Sequence, residues 1–194
     1  MKKLDELKAH LRPGRSYRRA DLTPFSKSVD RHLQELVREG ALKKLRPGLY
    51  YCPKKSVFGD VPADDHELVR TFLKDNRFLL TSPNAYNALG LGTTQLYNKR
   101  VVYNHKRHGE FVLGGRTYSF RLKHHFPLHS VTVEFLLVDL VNNLDELAED
   151  REALLTRVRE KAVSMEAARL KRAVHEFAST STRKFFDGVL ANAA

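Results

Sequence analysis

The chain has 194 residues, 42% of them apolar, a single cysteine and a formal net charge of +11. That apolar content supports a packed core and excludes global disorder, and the lone thiol of Cys52 excludes an internal disulfide and fits a reducing cytosol. The longest apolar stretch, within VTVEFLLVDLV, carries Glu134 and Asp139 and is too short to cross a bilayer, and the start MKKLDELKAHL lacks a signal peptide's apolar run, so a cytoplasmic protein without membrane contact is expected.

The charge is uneven. Residues 1–55 hold 15 Lys/Arg against 6 Asp/Glu, a net of +9, whereas residues 56–194 hold 19 against 17, a net of +2. This asymmetry predicts a polyanion-binding module at 1–55 joined to a nearly neutral module at 56–194.

Leu4, Leu7 and Leu11 predict a short amphipathic helix over residues 2–11, ended by Pro13-Gly14. Ser16 reads as the N-cap of a second short helix, about 18–22, with Ala20 and Leu22 facing inward and Pro24 closing it. A third helix is predicted over 26–39, with Gly40 just past its end. Its apolar positions Val29, Leu33, Leu36 and Val37 form one stripe. Lys27, Arg31, Gln34 and Arg38 form a polar line on the opposite face, flanked by Ser28 and Glu35.

ALKKLRPGLYYCPKK follows. Pro47-Gly48 is a turn signal between strand-like flanks, and Lys43, Lys44, Arg46, Lys54 and Lys55 put like charges on one short hairpin. An anionic partner relieves that repulsion. Helix, helix, basic helix and basic hairpin are the order of a winged helix-turn-helix. In that arrangement the third helix enters the DNA major groove, while Arg18, Arg19 and the hairpin cations face phosphates. Any one of these polar faces, taken alone, is also what an ordinary solvated helix looks like. Their combination carries the reading.

The segment RSYRRADLTPFSKSVDRHLQELVREGALKKLRPGLYYCPK resembles the N-terminal region of AbiEi-type antitoxins, and LLTSPNAYNALGLGTTQLYNKRVVYNHKRHG resembles that family's C-terminal region. The resemblance implies a winged-helix repressor of its own operon, acting on double-stranded DNA at inverted repeats in its promoter. It also implies a type IV antitoxin role against a nucleotidyltransferase toxin, and leaves open whether the two proteins touch. Composition and spacing by themselves imply DNA binding only.

Residues 53–62 read as a connector. A helix is predicted over 64–73 with Leu68, Val69 and Phe72 buried, then a strand at 77–81 and a short helix from the cap Ser82 to Leu89. Strands at 100–104, 110–113 and 117–122 follow, the last two joined at Gly114-Gly115. Helices are predicted over 130–143, 150–163, 165–179 and 182–190. The expected class is α+β: an N-terminal winged helix-turn-helix at 1–55, then a larger α+β domain at 56–194 with a small antiparallel sheet and C-terminal helices.

No nucleophile elbow, phosphate loop, dinucleotide fingerprint or zinc-protease motif occurs, so no catalytic residues, metal or cofactor are expected. His124, His125 and His129 cluster, and His105 and His108 are three apart; solvated loops account for them. Two further basic stretches are candidate partner surfaces: Lys99, Arg100, Lys106 and Arg107, and Arg169, Lys171, Arg172, Arg183 and Lys184. Two alternatives to the antitoxin stay open: a winged-helix transcription factor whose C-terminal domain dimerises or senses a ligand, and a DNA-processing enzyme.

Overall fold

The structure, a computed structural model, describes residues 3–93 and 96–191. It is a mixed α+β protein with small antiparallel sheets and a helical C-terminal part. The chain divides into two compact units, one of residues 1–78 with 106–120, the other of residues 79–105 with 121–194. In the first unit residues 56–78 and 106–120 pack with the basic front: the Arg46 guanidinium lies over the Phe72 and Phe111 rings, and the Phe72, Phe111 and Phe120 rings meet at 5.1–5.4 Å.

The first unit begins with helix α1 (Lys3–His10), strand β1 (Ser16–Arg18) and helix α2 (Arg19–Leu22), which runs into a 3-10 turn at Thr23–Phe25. Helix α3 (Val29–Arg38), strand β2 (Lys43–Arg46) and strand β3 (Leu49–Tyr51) follow. The three strands form an antiparallel sheet in the order β1-β3-β2. Leu7, Leu22, Val29, Leu33, Leu36, Leu42, Tyr50 and Cys52 make the core beneath it. Burying a leucine of this kind stabilises by about 1.5–3 kcal/mol.

The second short helix differs from expectation. Ser16 is not a cap but a strand residue paired with Tyr51, and its buried Oγ has no hydrogen-bond partner among the described residues. Pairing wins here because the backbone flanking it is also tied across: the Cys52 N–H donates to Arg15 O at 2.9 Å and the Gly14 N–H to Cys52 O at 2.8 Å. Arg18 occupies the N-cap instead, its backbone and guanidinium both donating to Asp21. Ala20 is exposed; only Leu22 of that helix is buried. Helix α3 starts three residues later than predicted, because Ser26 is extended and buried, its Oγ 2.8 Å from His32 Nδ1.

The segment 53–62 is a second hairpin rather than a plain connector. Strands β4 (Lys54–Ser56) and β5 (Gly59–Val61) pair antiparallel around Val57-Phe58. Its strands show no apolar alternation, so periodicity gave no sign of it. Helix α4 (Asp65–Leu73) comes next, capped by Asp64, whose Oδ1 accepts from the Glu67 N–H at 2.9 Å. Phe72 is half-buried, less than expected.

Strands β6 (Phe78–Thr81), β7 (Arg100–Asn104), β8 (Gly109–Leu113) and β9 (Arg116–Leu122) follow, and β8 and β9 pair antiparallel with Leu113 opposite Arg116. A 3-10 segment at Pro83–Leu89 ends at Gly90, whose φ of +68° suits glycine. Helix α5 (Val133–Asn142), capped by Thr132, is buried from Phe135 to Leu140. Helices α6 (Arg151–Val163), α7 (Ala167–Phe177) and α8 (Thr180–Ala191) pack with it around Phe135, Leu137, Val158, Leu170 and Phe186. Among the described residues no helix is long and apolar enough to cross a membrane.

Candidate nucleic-acid interface

Helix α3 owes its orientation to its apolar stripe: Val29, Leu33 and Leu36 are at most 4% exposed and lock that face into the core. Buried His32, which the stripe did not predict, adds a polar anchor through Ser26. Arg31, Gln34 and Arg38 are left exposed, at i, i+3 and i+7 on one face. Lys27 and Ser28 are exposed too, but they belong to the turn before the helix, not to its face; Ser28 is the N-cap residue. Ten residues give α3 a length of about 15 Å, ample to lie in a major groove about 12 Å wide.

Several cations named from the sequence are engaged inside the protein. Arg18 pairs with Asp21 at 2.7 Å. Arg19 grips Asp30 with two parallel bonds of 2.6 Å, which ties α2 to α3. Its backbone N–H also donates to Gly48 O at 2.9 Å, fixing the turn between β2 and β3 beside α2. Gly48 adopts φ +76°, as the Pro-Gly turn requires. Lys43 and Lys55 both reach Asp60, at 2.8 and 2.5 Å. These contacts hold the carboxyls of Asp21, Asp30 and Asp60 below the ordinary aspartate range, in each case chiefly through the hydrogen bond from the partner cation.

Arg46 is placed differently from expectation. Its guanidinium lies 4.9 Å from the Phe72 ring and 5.4 Å from the Phe111 ring, and its buried Nη1 has no hydrogen-bond partner among the described residues. It is a packing residue stacked on aromatic faces, not an outward cation. Of the cations named in residues 18–55, Lys27, Arg31, Arg38, Lys44 and Lys54 remain exposed and, among the described residues, without an ion pair. They lie on three pieces of chain: α3 and the turn before it, β2, and, beyond β3, β4.

The other basic stretches are committed to internal contacts in part, with Lys171, Arg172 and Lys184 left exposed. Lys99 pairs with Glu146 at 2.8 Å. Lys106 donates to Lys74 O at 2.9 Å and pairs with Asp75 at 3.2 Å, and Arg107 stacks 4.6 Å from the Phe72 ring. Arg169 pairs with Glu166, and Arg183 donates to His175 O at 3.0 Å. His124, His125 and His129 are exposed, and His105 stacks on Phe126 at 4.9 Å. Among the described residues no group of three or more His, Cys, Asp or Glu is placed to hold a metal. Cys52 is buried, which pushes its thiol pKa up and leaves it a poor nucleophile.

One cluster was not anticipated. Asp139, 1% exposed on α5, accepts from Tyr86 Oη at 2.9 Å and Tyr103 Oη at 2.9 Å, and pairs with Lys123 Nζ at 2.8 Å. Asn143 donates to both tyrosine hydroxyls, and Arg121 donates to Asn143 Oδ1 and Glu146. Burial, with the Asp139 carboxylate next, pushes both tyrosine pKa values far above their ordinary value. The signal in the sequence was an aspartate inside the apolar run FLLVDLV, which must find partners when buried. Its tyrosines hold their protons and its carboxylate is matched by Lys123, so the polar groups of the cluster satisfy one another.

No family model matches this sequence, and no curated protein matches it. Among solved structures, the chain is similar to the crystal structure of the RV2827C protein from Mycobacterium tuberculosis, with a TM-score of 0.56 over 98% of this chain and 75% of that one, at 15% identity. At that identity the likeness speaks for the fold alone.

Proposed function

We propose that the first unit is a winged helix-turn-helix that binds double-stranded DNA, with α3 as the major-groove helix and the β2–β3 hairpin as the wing. The observation that carries this reading is the group of five exposed, unpaired cations, Lys27, Arg31, Arg38, Lys44 and Lys54, gathered on α3, its preceding turn and the adjoining strands. These cations lie within the segment of residues 1–55 that carries a net of +9, and a polyanion would compensate them together. Arg31 and Gln34, near the start and middle of α3, are suited to base edges; Lys44 and Lys54 are suited to phosphates.

The resemblance to AbiEi-type antitoxins extends the proposal: the protein represses its own promoter and counters a nucleotidyltransferase toxin, and it is not itself an enzyme. The test uses the full chain, because residues 56–78 and 106–120 fold with the first unit and a cut at residue 55 would sever it. Binding to a duplex spanning the chain's own promoter should exceed binding to an unrelated duplex. With about five phosphate contacts per chain, log K should fall against log salt with a slope of about −4 to −5. A salt-independent affinity overturns the DNA reading. Co-expression with an adjacently encoded nucleotidyltransferase should restore growth; DNA binding without rescue leaves the transcription factor without a toxin.

A further inference from the structure

The hairpin β4–β5 ends in Val57 and Phe58, which are 94% and 99% exposed, the two most exposed large apolar side chains among the described residues. A phenylalanine held wholly in water contributes nothing to the core, and the turn that holds it is braced. Ser56 Oγ donates to Gly59 O at 2.8 Å and accepts from the Phe58 N–H at 3.2 Å. Gly59, at φ +106°, supplies backbone that other residues rarely adopt. The base of the ribbon is fastened by Tyr51 Oη, which donates to Val61 O at 2.9 Å. The tip is therefore a pre-organised apolar point, not a frayed loop.

Its surroundings are cationic. Lys44 and Lys54 are exposed and, among the described residues, without an ion pair, and Lys43 and Lys55 share the single acid Asp60. Lys54 and Lys55 stand two to four residues behind the tip, about 7–13 Å back along the ribbon at 3.3 Å per residue. Two paired strands are about 4.8 Å apart before their side chains are added, so the ribbon itself is too wide for a minor groove about 6 Å across, while its two-residue tip enters. Apolar side chains inserted there unstack a base step and kink the duplex, with flanking cations on the phosphates.

We infer that the β4–β5 hairpin is a second DNA-contacting element, in which Val57 and Phe58 wedge into the minor groove while Lys54 meets a bordering phosphate. This rests on the DNA-binding reading above. Charge complementarity favours DNA over a second copy of the chain, since a dimer joined at these tips would bring the lysines together. It also favours DNA over a lipid surface, which two apolar side chains are too few to hold.

The experiment uses the full chain and duplexes of about 30 base pairs labelled at both ends, one with central TA steps and one G·C-rich throughout, with end-to-end distance read by energy transfer. The wild type should shorten the TA duplex, as a bend of about 20–90° requires, and act less on the G·C duplex. The double variant Val57→Ser/Phe58→Ser, altered at two fully exposed positions, should keep the wild-type Tm, leave the TA duplex straight and bind it about tenfold more weakly. Phe58→Leu should recover most of the bend, and Lys44→Ala should weaken binding while keeping it. A double variant that binds and bends like the wild type overturns the wedge, as does a wild type that binds without bending. So does a double variant that differs only in solution mass by light scattering, or only in binding to vesicles with anionic headgroups. A wild type that binds neither duplex overturns the DNA reading beneath it.

Discussion

In the unit of residues 1–78 and 106–120, Asp21, Asp30, Asp60 and Asp75 meet arginine or lysine near the surface, whereas in the other unit Asp139 lies 1% exposed against two tyrosine hydroxyls and Lys123. The first arrangement is loose: exposed pairs of this kind stabilise little and exchange readily for other anions. The second is fixed, because each member of the buried group would be costly without the others. A count of charges does not distinguish these uses. Whether the charge is buried, and by what it is matched, does. Surface cations left over after pairing suit an external polyanion; a buried carboxylate with all its partners inside the protein suits the specification of a fold.

The largest expected effect lies in the buried group. Asp139→Ala leaves Lys123 and two tyrosine hydroxyls without their acceptor, and should lower the stability of the second unit by about 3–5 kcal/mol in urea unfolding. A change below about 1 kcal/mol would mean that the hub is solvated, and the contrast between the units would vanish. Tyr103→Phe, which keeps the ring and removes one donor, should cost less than Asp139→Ala.

Extremes of pH should separate the units in opposite directions. The carboxyls of Asp21, Asp30, Asp60 and Asp75 are depressed in the folded state, chiefly by hydrogen bonds from Arg18, Arg19, Lys43 and Arg77. Groups of that kind stabilise fully above the unfolded pKa near 4, and the contribution is lost as pH falls through the lowered values. In the second unit Glu146 is lowered too, its bonds from Arg121 and Lys99 outweighing the burial that opposes them. Acid should therefore loosen the first unit more. Tyr86 and Tyr103 are raised, mainly by burial. Their contribution is complete below pH 10 and is lost as pH rises above it, by up to about 1.4 kcal/mol per pH unit for each tyrosine. Alkaline unfolding followed by tyrosine absorbance should begin in the second unit; simultaneous ionisation of all seven tyrosines near pH 10, without unfolding, would contradict the buried hub.

On the DNA side, Arg31→Ala should cost about 1–3 kcal/mol on the promoter duplex and little on an unrelated one, while Lys44→Ala should weaken both alike. Equal losses from both substitutions would remove α3 from base recognition. The smallest effect is expected at Asp60→Asn. It releases Lys43 and Lys55, and should raise affinity slightly while steepening the salt slope by about 1–2. An unchanged slope would mean that those lysines do not face the duplex.

The α3 stripe, the Pro47-Gly48 turn, the Gly114-Gly115 hairpin and the C-terminal helices follow from the sequence by itself, because period, turn chemistry and caps such as Asp64 and Asp150 are local. So does the concentration of positive charge in residues 1–55, which is additive along the chain. Tertiary structure decided the rest. Ser16 became a strand residue because β3, 35 residues later, offered its backbone partners. Arg46 is half-buried because Phe72 and Phe111, distant in sequence, built an aromatic face for it. The β4–β5 ribbon formed from KKS and GDV, which carry no period to read, and pairing satisfied their backbone groups. Asp139 found Tyr86, 53 residues before it, and Tyr103, 36 before it. Which cations stay free for a ligand is likewise a question of which acids lie nearby in space, and composition holds no information about that distance.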